Sequence, residues 1–227
     1  MTSKSPVRSC EDVDEAALSY AEVKALATGN PYIKEKMDLD IQVSKLKLMK
    51  ANHTSQKYRL EDNITQHYPH QIAIFKERIE GFTADMEKYA KNKPEDKEQF
   101  FMQVGGKPYT DKKEAGTAII AMCKEIKGIN ASADVGEYLG FKLNVTFDSF
   151  NNKFVMNVKG AMSHPMEVGT DPLGNITRIN NALEAMPAQL EEAQTKLSNV
   201  EHQLETARAE VNKPFAQEAE LSEKLDR

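Results

Sequence analysis

Residues 176–211 read ITRINNALEAMPAQLEEAQTKLSNVEHQLETARAEV, and this stretch decides the fold of the chain. Its apolar residues recur at alternating steps of three and four, which is the heptad spacing of a helix that packs its narrow apolar seam against a partner helix. We call these apolar positions the seam. They are Ile176, Ile179, Leu183, Met186, Leu190, Ala193, Leu197, Val200, Leu204, Ala207 and Val211. The pattern continues for about five heptads, and we therefore expect long helices with a partner.

A proline interrupts this pattern. Pro187 lies inside the seam, and a proline in the interior of a helix costs about 3 kcal/mol. We expect either a kink at Pro187 or a new helix that begins near Met186. Because the seam stays in register across the proline, both parts should line one surface.

Helical spacing also marks the first half of the chain. One amphipathic helix is predicted from about Pro31 to Asn63, since proline is tolerated in a first turn. Another is predicted after Pro69, because apolar residues from Ile72 to Tyr89 recur at steps of three and four. The residue before a proline avoids the helical region, so Tyr68-Pro69 indicates either a hairpin or a kink.

The middle of the chain changes to the two-residue period of half-buried strands. Gly105-Gly106 is typical of a hairpin turn, and Asp111 with Glu114 has the spacing of a capping box that opens a helix. The predicted strands are Phe100–Val104, Lys107–Tyr109, Phe141–Phe147, Phe154–Val158 and Met162–Val168. Together they indicate a small antiparallel sheet with a helix across one face.

The expected fold is therefore α+β. Long amphipathic helices would form an antiparallel coiled coil or helical bundle around a small insert of antiparallel sheet plus helix. The expected domains are a lead-in with a short helix at 1–30, a coiled-coil arm at 31–92, the α+β insert at 97–172 and a C-terminal coiled-coil helix at 173–227.

Charge suggests how the helices pair. Ile41 to Leu60 contains five cations and no acid, whereas Glu184 to Val211 is acidic, in a chain with a net charge of −5. We expect these two segments to pair within the chain.

The five cations, which are also the candidate nucleic-acid contacts, are Lys45, Lys47, Lys50, Lys57 and Arg59. A basic stripe of this kind can bind phosphates, and Lys142, Lys153 and Lys159 around the sheet would extend it.

Catalytic signatures are missing from the sequence. It has no Gly-x-x-x-x-Gly-Lys-Ser/Thr loop. His67 and His70 lack a Cys or carboxylate that would complete a metal site, and Cys123 lies on an apolar helix face and should be buried. We expect no catalytic residue, metal or cofactor.

No run reaches the roughly 20 apolar residues of a membrane span, and the presence of only two cysteines favours the reducing cytoplasm.

Several stretches carry a specific resemblance. Residues 1–64, YTDKKEAG at 109–116, GFKLNVTFDSF at 140–150, the run at 158–187 and VNKPFAQEAEL at 211–221 resemble the C-terminal part of very large DNA helicase–methylase proteins of bacterial mobile elements. In that family a Swi/Snf-type helicase core, and often an adenine-specific DNA methyltransferase, precedes this region. The resemblance implies a cytoplasmic, ATP-driven parent protein. It also implies that Met1 and the ending at Glu223–Arg227 are cut ends.

No catalytic residue of that family can be carried over. The chain lacks the Walker lysine, an Asp-Glu-x-His box and an Asn/Asp-Pro-Pro-Tyr/Phe motif. The expected function is therefore a non-catalytic accessory region, a scaffold or coupling module that positions DNA or a partner. The alternative is a DNA-binding module that uses the basic helix 41–60. The expected partners are the helicase core of the same polypeptide, DNA, another protein, or a second copy bound through the seam.

Overall fold

The computed structural model describes residues 23–24, 27–29, 31–96, 98–126, 128 and 131–227. Most of the lead-in and short helix expected at 1–30 lies outside these residues. The chain divides into two compact units. A helical unit comprises the described residues up to His67 together with Leu204–Arg227, and an α+β unit comprises the described residues of Tyr68–Gln203.

The helices and strands confirm an α+β fold with long helices and a six-stranded antiparallel sheet. The helices are α1 (Pro31–Asp62), α2 (Tyr68–Asn92), α3 (Lys112–Glu125), α4 (Pro172–Glu184), α5 (Met186–Val211) and α6 (Glu218–Leu225). The strands are β1 (Met102–Val104), β2 (Lys107–Tyr109), β3 (Ser132–Tyr138), β4 (Phe141–Asp148), β5 (Lys153–Lys159) and β6 (Ser163–Val168).

The sheet has the strand order β2-β1-β3-β4-β5-β6, and each neighbouring pair is antiparallel. The predicted hairpin around Gly105-Gly106 is confirmed, as are the strands at β4, β5 and β6. These segments were predictable because each has either a glycine turn or a clean two-residue alternation.

Strand β3, SADVGEY, was not predicted. It contains Ala, Asp, Gly and Glu, which strands disfavour, and its pairing with β4 is irregular between Asp134 and Gly136. Such an irregularity shifts the side chains that follow it to the other face, so no two-residue period is visible. Its neighbours β1 and β4 hold this strand in the sheet.

The core of the α+β unit lies on one face of the sheet. Phe141, Leu143 and Val145 alternate inward along β4, and all three are fully buried. Helix α3 contributes Ala115, Ile119 and Cys123 to the same cluster, and α4 contributes Ile176, Ile179 and Leu183. The expected burial of Cys123 is confirmed.

Local signals set the starts of α3 and α4. The Asp111 side chain accepts a hydrogen bond from the backbone N–H of Glu114 at 2.9 Å, as the capping-box spacing predicted. Asp171 caps α4 in the same way through the N–H of Gly174 at 2.9 Å, and Pro172 occupies the first turn.

The proline in the seam starts a new helix. Helix α4 ends at Glu184 and α5 begins at Met186, so Pro187 falls in a first turn where its missing N–H breaks no intrahelical hydrogen bond. This confirms one of the two outcomes expected from the sequence.

At Tyr68-Pro69, a π-helical segment of five residues, Asn63–His67, lies between α1 and α2. In an α-helix the ring of Pro69 would clash with the carbonyl of Thr65. Here Thr65 belongs to the π-helical segment, in which hydrogen bonds span five residues instead of four.

Candidate functional site

The seam is the longest functional feature predicted from the sequence, and every one of its positions is buried or half-buried. Between Glu191 and Glu210 the contrast is complete. Ala193, Leu197, Val200, Leu204 and Ala207 are covered, and all other residues in that interval are exposed. A single narrow apolar stripe therefore runs along α5.

The start of the seam packs on the sheet. Ile176, Ile179, Leu183 and Met186 belong to the same hydrophobic cluster as the strands. Along α5, the Lys196 hydrogen bond and, more weakly, the Arg78 guanidinium of α2 hold the pKa of Glu192 below its ordinary value. Seam residues thus serve first as sheet core and then as the covered stripe of α5.

The five candidate nucleic-acid contacts lie on α1. Lys50 forms an ion pair with Glu218 of α6 at 2.5 Å, and Lys57 lies 4.0 Å from Glu61, one turn further along α1. Lys45 also has an interaction partner, while Lys47 and Arg59 are exposed without an ion pair in the described part of the chain. Acids of the chain therefore interrupt the basic stripe.

The acid that pairs with Lys50 lies outside the expected segment. The sequence predicted a match with Glu184 to Val211, but Glu218 lies beyond that segment. Within α5, Glu192 instead pairs with Lys196, and Glu210 pairs with Lys213 just after the helix. Pairs three or four residues apart on one helical face need no tertiary alignment, so they form in preference to distant ones.

The lysines around the sheet separate into two sets. Lys153 donates to Glu167 of β6 at 2.9 Å, and that hydrogen bond raises the pKa of Lys153. Lys142 and Lys159 are register partners on β4 and β5, both exposed and without an ion pair among the described residues. Like charges in direct register repel, but Lys142 also has Glu137 of β3 as its register partner on the other side, so only Lys159 lacks an opposite charge in register.

A buried polar cluster centred on Asp85 joins α2 to the turn between β5 and β6. The carboxylate accepts hydrogen bonds from the backbone N–H groups of Ala161 at 2.6 Å and Met162 at 2.8 Å. The Nε2 of His164 lies 3.0 Å from the same carboxylate and donates to it, because a carboxylate only accepts. Asp85 and His164 are each only 1% exposed.

This cluster is a clamp and not an exposed reactive pair. Phe82 and Phe141 lie beside the imidazole, with ring centroids 6.0 and 6.2 Å away, and the His164 Nδ1 is buried without a partner in the described part of the structure. With no open route to either side chain, the arrangement can fix the turn but cannot act on a solute.

Two features of the sequence indicate this clamp. Asp85 follows Phe82 by three residues, which places a carboxylate on the apolar face of α2. His164 alternates with Met166 and Val168, which places an imidazole on the core face of β6. A polar residue at an apolar position of each element indicates a buried pair.

Two absences concern the residues that the structure describes. Among them, no group of three or more His, Cys, Asp or Glu side chains is arranged to hold a metal ion. Nor does any described helix combine the length and the apolar character needed to cross a membrane.

Comparisons of this chain with protein-family models, with curated proteins and with solved structures gave no match.

Proposed function

We propose that this chain is a non-catalytic scaffold or coupling module of a cytoplasmic, ATP-driven DNA helicase that also carries a DNA methylase. In this proposal the helices form an antiparallel coiled coil or bundle, which holds the α+β unit so that it can position DNA or a partner of the helicase core in the same polypeptide. The resemblance of the sequence to the C-terminal region of such proteins provides the context.

One observation carries the proposal. The seam is buried or half-buried at every position from Ile176 to Val211, whereas all other residues between Glu191 and Glu210 are exposed. A long helix with one narrow covered stripe is the pattern of a packed arm. The ion pair of Lys50 with Glu218 supports the same interpretation, since it ties α1 to α6.

The scaffold can be tested by disturbing the seam. Ala193 is 2% exposed, and Ala193→Asp would place an unpaired charge in the stripe. We expect a loss of about 3 kcal/mol or more in the free energy of unfolding. The matched control is Gln194→Asp, one residue further on and exposed. Circular dichroism during thermal unfolding would measure both. Little helix, or a transition without cooperativity in the unmodified chain, would remove the scaffold proposal.

The non-catalytic part of the proposal has its own test. The isolated chain should neither hydrolyse ATP in the presence of DNA nor transfer a methyl group to adenine. Radiolabelled ATP and a labelled methyl donor would detect either activity. Turnover that persists after rigorous purification would contradict the proposal.

Direct DNA binding is the second candidate. Lys47 and Arg59, together with the in-register pair Lys142 and Lys159, favour it because none of these cations has an ion pair among the described residues. Duplex and single-stranded DNA would be titrated across a salt series, since phosphate contacts give affinity that falls steeply with salt.

Charge-reversal variants would assign any binding to one surface. Lys47→Glu with Arg59→Glu removes the free charges of α1, and Lys142→Glu with Lys159→Glu removes those of the sheet. The control is Lys153→Glu, because Lys153 is already paired with Glu167. No binding at low salt, or binding that does not depend on salt, would eliminate this candidate.

A further inference from the structure

The α+β unit contains a cleft that the proposed function does not use. Its volume is about 650 Å³, within the range of small-ligand sites. The segment after α2, strand β1 and the turn between β3 and β4 form its walls. The lining residues that matter here are Glu98, Phe101, Glu137, Tyr138 and Leu139.

An exposed aromatic ring and a fixed aromatic pair both line this cleft. Phe101 is 56% exposed, although its neighbours Phe100 and Met102 are both buried in the core. The Phe100 and Tyr138 rings lie 5.6 Å apart, and the Tyr138 hydroxyl hydrogen-bonds Asn180 at 3.0 Å. Burial accordingly raises the pKa of Tyr138. Phe101 is therefore presented from a rigid base, and no core packing explains its position.

The turn that closes the cleft has an unusual backbone. Leu139 and Gly140 connect the register partners Tyr138 and Phe141, and both have positive φ, +51° and +79°. That φ pattern is typical of a type I′ turn, where Asn or Gly normally occupies the first position. A leucine at positive φ is uncommon. Here Leu139 adds an aliphatic side chain to the lining and also packs against the core cluster.

The charge of the cleft selects its ligand. Glu98 and Glu137 contribute two carboxylates, and neither has an ion pair in the described part of the chain. Lys142 of β4 is in register with Glu137 but does not line the cleft. Among the described residues that line the cleft there is no lysine or arginine, and Asn92, Gln99 and Gln103 supply amides. Carboxylates beside an aromatic face attract a cation and repel a phosphate.

We propose that this cleft binds a peptide segment of a partner protein through an arginine or lysine side chain. The cation would stack on Phe101 between Glu98 and Glu137, and the lining amides can both donate to and accept from the peptide backbone. This inference rests on the scaffold function proposed above, because it names the kind of partner that the scaffold holds. It differs from the DNA alternative in the sign of the ligand charge.

The test uses the full chain and four hexapeptides that differ at one central residue: arginine, lysine, norleucine or glutamate. Nuclear magnetic resonance titrations would follow the backbone amides of Gln99–Phe101 and Tyr138–Gly140. The arginine and lysine peptides should shift these resonances with affinities at least about tenfold higher than the norleucine peptide, and the glutamate peptide should not bind. The absence of any shift, or equal binding of all four peptides, would overturn the proposal.

Two variants and two controls locate the site. Phe101→Ala and the double variant Glu98→Gln, Glu137→Gln should each weaken binding of the arginine peptide about tenfold. Phe150→Ala removes another exposed ring, and Glu191→Gln removes another exposed carboxylate, so neither should change binding. All four should unfold at the temperature of the unmodified chain. Unchanged affinity in both cleft variants would also overturn the proposal, whereas the seam variant Ala193→Asp tests the scaffold separately.

Discussion

In the α+β unit, several buried hydrogen bonds depend on the single side chain of Asp85. Its carboxylate receives two backbone N–H groups and one imidazole while being almost fully buried. Gly160 is required beside it, because an added Cβ would overlap the carboxylate. A helix and a turn distant in sequence are thereby joined through one acceptor.

Replacing this acceptor should be costly. Asp85→Ala leaves the N–H groups of Ala161 and Met162 and the imidazole of His164 without a partner, and we expect a loss of about 3 kcal/mol or more in the free energy of unfolding. Asp85→Asn keeps an acceptor oxygen and should lose less. Urea unfolding followed by fluorescence or circular dichroism would measure both. The control is Glu87→Ala on the exposed side of α2, with an effect within about 0.5 kcal/mol. An unchanged midpoint in Asp85→Ala would contradict the clamp.

Cys123 makes stability sensitive to alkaline pH. Burial raises the pKa of its thiol from 9.0 to about 11. Between these values the folded chain keeps a proton that the unfolded chain loses, so stability falls as the pH rises from 9 to 11. The decrease in the free energy of unfolding that this thiol causes should approach about 1.4 kcal/mol per pH unit between the two pKa values. It should vanish at pH values below the lower pKa.

The comparison with Cys123→Ala isolates this effect, because tyrosines and lysines titrate equally in both chains. The alanine variant should lose stability less steeply above pH 9, with a constant offset for the missing sulfur. Parallel curves of unfolding free energy against pH would show that the thiol does not titrate differently on folding.

At the scale of elements, the contact between α3 and α4 depends on Gly116. A Cβ at this position would overlap the backbone carbonyl of Pro172 at the start of α4. Flexible side chains can move away from such an overlap, but a backbone carbonyl held in a capped helix start cannot do so without displacing the helix. The glycine is therefore needed for close approach and not for its conformational freedom.

This contact predicts a reversal of the usual helix-propensity effect. In a helix interior, Gly→Ala normally stabilises by about 1 kcal/mol. Gly116→Ala should instead destabilise by about 1–3 kcal/mol, because α3 and α4 must separate. Thr117→Ala, at the next and exposed position of α3, should be neutral or slightly stabilising. Denaturant unfolding of both variants gives the comparison, and a more stable Gly116→Ala would show that the helices are not in close contact.

At the scale of the whole molecule, the single chain itself covers the surface that a second copy would need. The seam was expected either to pair within the chain or to form a homodimer. Every seam residue is buried or half-buried in one copy of the chain. Dimerisation through the seam would have to displace those internal contacts, which makes it unfavourable.

We therefore predict a monomer. Sedimentation equilibrium at micromolar to submillimolar concentrations should give a mass near 25.5 kDa at each loading. Ala193→Asp serves as the diagnostic variant, because a dimer held by the seam would dissociate on this change while a monomer would keep its mass. A mass that rises towards twice the monomer value with concentration, and returns to the monomer value in that variant, would establish seam-mediated dimerisation.

The sequence by itself determined the features that depend on local periodicity and local caps. Heptad spacing gave the seam and its continuation past Pro187, and two-residue alternation gave β4, β5 and β6. The cap at Asp111 also followed from spacing alone. These features are predictable because neighbours within one turn or one strand decide them.

Only the tertiary structure decided which distant groups meet. Strand β3 has no periodic signal and is held by its neighbours, Asp85 finds its donors about 76 residues further along the chain, and Lys50 pairs with Glu218 instead of the acids of α5. The Phe101 cleft was not foreseen for the same reason, since three separate segments line it. Such contacts depend on how packed elements bring sequence-distant atoms within hydrogen-bonding or van der Waals range, and no local pattern encodes that distance.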